Sequence, residues 1–163
     1  MATVSSLARA VGGAGNPGRK AYVVEQEIDF AAAATAKGSA LAAADVIQAI
    51  SVGAGTLVLN AGVEVLTTPA GGTGTVLDVG VTGIDPDVFV DGFAFDSATA
   101  GDYAQNAAAF QPVVLGSADT VDVLIQAATT VSTSGKIRVW AVLMEVGQIG
   151  TTAAAEVDRD QLA

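Results

Sequence analysis

The sequence contains no histidine and no cysteine, and only 5% of its 163 residues are aromatic. Each shortage excludes a class of chemistry. Without His there is no Ser-His-Asp triad, and without Cys there is neither a thiol nucleophile nor a disulfide framework. Zinc, haem, copper and iron–sulfur sites lose their usual ligands. A serine nucleophile would need a lysine base, and Lys20, Lys37 and Lys136 stand in no motif that supplies one. The expectation is a protein that is not an enzyme and carries no cofactor.

Positive charge is scarce too. Seven Lys and Arg face 17 Asp and Glu, a net charge of −10. The imbalance is segregated along the chain. Residues 1–37 hold four basic and three acidic side chains, whereas residues 38–135 hold ten carboxylates and no Lys or Arg. An acidic body of this kind does not bind nucleic acid, which requires cations to displace condensed counterions. No apolar stretch reaches the ~18–20 residues of a membrane helix. The first 20 residues lack the charged and continuous apolar regions of a signal peptide, so the sequence reads as that of a soluble product.

What is present is β texture. GGAGNPG at 12–18 breaks the chain and separates an extended arm (1–20) from a single body (21–146), and a polar tail (147–163) follows. Residues 21–30 alternate on a two-residue period, with Tyr22, Val24, Gln26, Ile28 and Phe30 on one face and Glu25, Glu27 and Asp29 on the other. Further strands are expected at 45–52, 56–68, 75–82, 111–115, 119–127 and 136–146. Asn60-Ala61-Gly62 marks a bulge in the second of these. The alanine-rich 31–44 reads as an exposed connection with at most a turn of helix, and 96–109 reads as a long loop. At 85–92, Asp85 suits an N-cap, Pro86 the first helical position and Gly92 a stop, so one helical turn is expected with Phe89 inward. The alternative is a strand turning at Asp91-Gly92. Trp140, inside the most hydrophobic strand, is expected in the core. Seven or eight short strands without a sustained helical period define an all-β fold, an antiparallel β-sandwich of jelly-roll type.

Few constellations remain that could carry chemistry. Asp85, Asp87 and Asp91 could converge on calcium or supply the acids of a glycosidase, but their spacing is not that of an EF-hand. The plain reading is a loop-solvating cluster. The glycine-rich pieces at 12–15, 53–55 and 71–74 lack the lysine of a phosphate loop and read as turns. The cations of the arm, Arg9, Arg19 and Lys20, are the candidate docking residues toward an acidic partner surface.

AGTLVLNAGVEVLTT (54–68), TVLDVGVTGIDPDVFVDG (75–92) and ADTVDVLIQ with SGKIRVWAVLMEV (118–146) resemble small virion proteins of tailed bacteriophages, including those of marine bacteria and cyanobacteria. The resemblance implies a structural role: a jelly-roll decoration (cement) protein on the exterior of an icosahedral head, forming a homotrimer and binding the major capsid protein. It carries no functional residue. The alternative it leaves is a head-fibre, tail or adhesin module with a sugar-binding sandwich.

Overall fold

The computed structural model describes residues 3–9, 20–81, 83–105 and 111–146. Its elements run β1 (Thr3–Arg9), β2 (Tyr22–Asp29), α1 (Phe30–Lys37), β3 (Val46–Val52), β4 (Thr56–Ala70), β5 (Val76–Val81) and β6 (Asp85–Ala94). A 3-10 turn at Phe95–Ser97 leads to β7 (Tyr103–Gln105), β8 (Val113–Val114), β9 (Asp119–Ala127) and β10 (Ser134–Glu145). The expected tail at 147–163 lies outside the described residues, as does much of the arm.

Two sheets face each other. One runs β1-β3-β9-β5-β6, and the other runs β2-β10-β4-β7, with β8 also pairing β4. If counting starts at β2 and β7 and β8 are taken as one interrupted strand, the chain is a folded-over ribbon. Its first strand pairs with its last (β2 with β10), and β3 pairs with β9. Inside these, β4 pairs with β7 and β8, and β5 pairs with β6. All these ladders are antiparallel, and the nested order is that of an eight-stranded jelly roll. The expected fold class is the one found.

Alternation positions the core. On β10, Ile137, Val139, Ala141 and Leu143 are fully buried, in one core with Leu77, Val79, Val121 and Val123 of the other sheet. Each buried Val, Leu or Ile among them contributes about 1.5–3 kcal/mol by leaving water. Phe30 and Phe95 stack at 4.5 Å and close one end of the layer.

Three local expectations are corrected. Residues 30–37 form a full α-helix rather than a loose connection. Asp29 accepts from the N–H groups of Ala31 and Ala32 (2.9 and 3.1 Å), and Gly38 ends the helix at φ 78°. Phe30 and Ala33 pin it to the core. Residues 85–94 are strand, not a helical turn. The local cap bond is there, Asp87 N–H to Asp85 Oδ1 at 3.4 Å. However, Val88, Phe89 and Val90 are all buried, and the edge of β5 offers them a ladder that one turn of helix could not replace. The turn at Asp91-Gly92 exists as a bulge, with Gly92 at φ 74°. Within the expected loop 96–109, β7 pairs with Gly62–Glu64 of β4; three residues are too few to show a period. β4 shifts register against β10 at three places, and the bulge expected at Asn60-Ala61-Gly62 falls at Leu59-Asn60, since Val142 pairs Asn60 and Leu143 pairs Val58. No helix among the described residues is long and apolar enough to cross a membrane.

Candidate functional site: arm, acidic corner and outer sheet face

The expected arm contributes β1. Its backbone pairs in parallel with β3, Thr3 beside Val46 and Arg9 beside Ser51, at the edge of the first sheet. Arg19 lies outside the described residues, and Lys20 is exposed just before β2. Of the three expected docking residues, only the Lys20 side chain is among those described. The structure does show where other cations are used. Lys37 Nζ donates to Asp45 Oδ2, with side chains 13% and 3% exposed. Lys136 meets Glu27 at 3.0 Å and Asp29 at 3.5 Å, and Arg138 meets Glu64 at 3.0 Å and Glu25 at 3.6 Å. Among the described side chains, these three cations are already neutralised within the body. Beside the root of the arm, Tyr22 donates to Glu145 Oε1 at 3.1 Å. Burial, with that hydrogen bond and the Glu145 charge, pushes the Tyr22 hydroxyl up to about 12.

The carboxylates at 85, 87 and 91 gather at one corner of the roll. The hydrogen bond that the protonated Asp87 carboxyl donates to Asp85, followed by burial and the charges of Asp85 and Asp91, pushes Asp87 up to about 6. Asp78 accepts from Gly92 N–H at 2.8 Å. Burial still raises its carboxyl above the usual range, against that bond and with the Asp91 charge adding to it. Among the described residues no three acidic side chains are close enough together to hold a metal ion. The corner is a place where carboxyls crowd one another, and Asp85 and Asp87 resolve the crowding through a shared hydrogen bond.

The outer face of the second sheet holds a feature that the expectation for Trp140 missed. Trp140 is half-buried on this face, not in the core, and packs over Gly62. The Tyr103 ring, 51% exposed, lies parallel to it at 6.0 Å and 5°. The signal was in the alternation: Trp140 shares its parity with Lys136 and Arg138, which point outward.

The fold recurs in solved phage particles. A chain in the acidic stable capsid structure of Helicobacter pylori bacteriophage KHP30 superposes with TM-score 0.51 at 15% identity, over 78% of this chain and 90% of that one. A chain of the cyanophage Pam1 capsid asymmetric unit gives 0.55 at 20% identity, over 84% and 93%. A chain of the capsid of Ralstonia phage GP4 gives 0.55 at 18%, over 87% and 98%. No protein-family model and no curated protein sequence matches the chain. The chain therefore shares its jelly roll with chains of three phage capsids.

Proposed function

We propose that this chain is a virion structural protein, a decoration (cement) protein that binds the outside of an icosahedral phage head as a symmetric oligomer, a trimer being favoured. The observation that carries the reading is the coverage of the neighbours. Between 90% and 98% of each matched chain is accounted for by this one fold. In each of those capsids, then, the roll is nearly a whole chain and not a domain inserted into a larger subunit. A separate small chain that adds to a shell suits an attachment role better than the role of enclosing the genome.

The charge distribution supplies the mechanism. The acidic body repels other bodies and faces solvent, while Arg9, Arg19 and Lys20 dock on the major capsid protein beneath it. Each contact is modest, and linking several arms in one oligomer multiplies them. The work is contact rather than catalysis. The test is to add the purified protein to heads lacking it and measure co-sedimentation; saturation at a fixed ratio to shell subunits supports the reading, and no association overturns it.

A second reading, a fibre, tail or adhesin module that binds sugar, draws on the parallel rings of Tyr103 and Trp140 on an outward face. Binding on a glycan array that is lost in Trp140→Ala would favour it.

A further inference from the structure

Strand β1 stands outside the roll. The eight nested strands from β2 to β10 close without it, and all of their ladders are antiparallel. Among the described strands β1 alone is parallel to its neighbour, β3, which it meets along one edge. Among the described residues no hairpin holds it there, because the next described strand, β2, belongs to the opposite sheet. A parallel pair needs a connection of about a dozen residues, and 12 residues separate Arg9 from Tyr22. Fully extended they span about 40 Å, far enough to reach a neighbouring molecule.

The slot that β1 fills must not stay open. Val46–Val52 carries no charged residue, and its own Ile47 and Ile50 are fully buried. An uncovered strand of this kind is a template for uncontrolled pairing. Every copy therefore needs a β1 on its β3 edge, and any copy's β1 provides the same backbone bonds. Charge does not oppose exchange, because an arm is drawn to any acidic body, its own or a neighbour's. Bodies of net negative charge repel, whereas the arm carries Arg9, Arg19 and Lys20. The slot also ends toward acidic ground, with Arg9 aligned on Ser51 and Val52 paired to Asp119.

We propose that in the assembled oligomer Thr3–Arg9 of each copy adds in parallel to β3 of the next copy. The exchange is head-to-tail, so a ring of copies closes when every slot is filled. This rests on the oligomer of the proposed function and adds the element that locks it. The backbone of the exchanged strand ties one copy to the next, and the cations of the arm remain for the shell.

The absence of native cysteine makes the test clean. Ser5 is aligned with Gln48, and neighbouring strands hold such Cα atoms about 4.8 Å apart, within disulfide reach. Chains carrying Ser5→Cys and chains carrying Gln48→Cys, differently tagged, are co-expressed and oxidised; the aligned pair Arg9→Cys with Ser51→Cys repeats the test at a second point. Native mass spectrometry of each sample establishes whether an oligomer is present. Exchange predicts a covalent link between the two tagged chains, and closed covalent rings when both substitutions are in one chain. An intact oligomer in which the doubly substituted chains run as internally bridged monomers, and the mixed chains stay unlinked, overturns the exchange but leaves the oligomer standing. A monomeric mass throughout overturns both.

Discussion

Trp140 occupies the space that a side chain at position 62 would need. A Cβ on Gly62 would lie 2.6 Å from Trp140 Cζ2 and 2.7 Å from the carbonyl oxygen of Ala104. The ring could move, but the backbone of β7 on the other side could not move without breaking its pairing to β4. Gly62→Ala is expected to cost about 1–3 kcal/mol, as overpacking does. That corresponds to a melting temperature lower by about 3–10 °C in a domain of this size. Since Trp140 is the sole tryptophan, its fluorescence reports the site directly, and a red shift should accompany the loss. An unshifted spectrum with unchanged melting would show that the ring does not depend on the bare glycine.

The buried pair of Lys37 and Asp45 yields a second prediction. Asp45 also accepts from Ala42 N–H at 2.8 Å, so it fixes the loop that leads from α1 into β3. Replacing Lys37 by Met leaves a carboxylate that is 3% exposed without its cation. The expected cost is about 3 kcal/mol, most of it the desolvation of the unpaired charge. Adding Asp45→Asn should recover much of the loss, and urea denaturation of the two variants measures both steps.

The acidic corner makes the fold sensitive to pH in an unusual direction. Asp87 holds its proton more tightly folded, to about 6, than its ordinary 3.8. Its contribution to stability is therefore complete below the ordinary value and is lost as pH rises through about 6. Asp78 acts in the same sense. Asp29, which the N–H of Ala32 holds below the usual range, acts in the opposite sense, but only as pH falls through its lowered value. Between pH 4 and 7 the corner dominates. Asp87→Asn should raise the melting temperature at pH 7.5 by about 1–4 °C and narrow the difference between pH 5 and pH 7.5. A lower melting temperature at pH 7.5 would contradict the account.

The docking role of the arm is separable from folding. Reversing charge with Arg19→Glu and Lys20→Glu should weaken binding to heads and reduce its salt dependence. It should leave the melting temperature within about 1 °C, as expected of residues that dock and do not hold the fold. Unchanged binding would remove these residues from the interface.

Much of the fold was legible because the strands obey their period. The alternation of residues 21–30 and 136–146 matches the buried faces of β2 and β10, and Phe89 points inward as expected. Local grammar misled where two structures share one vocabulary. Asp85-Pro86-Asp87 is good cap chemistry, yet the burial of Val88 through Val90 decides the conformation, and that burial depends on partners far along the chain. The helix at 30–37 was hidden for the opposite reason. Its alanines carry no apolar stripe, although Asp29 and Gly38 were readable as its caps. Trp140 was misplaced because hydrophobicity was weighed above parity. The candidate docking site was legible only as a concentration of cations. Its pairing partner, β3, is 37 residues or more distant from β1, and no local pattern records such a pairing.

The central claim is attachment to the outside of a phage head, and electron cryo-microscopy of heads reconstituted with the purified chain tests it most directly. The account predicts density for the jelly roll on the outer surface of the shell, grouped about local symmetry axes, with the acidic bodies outward and each arm reaching the shell. Heads that remain bare, or a roll built into the continuous wall of the shell, would contradict it.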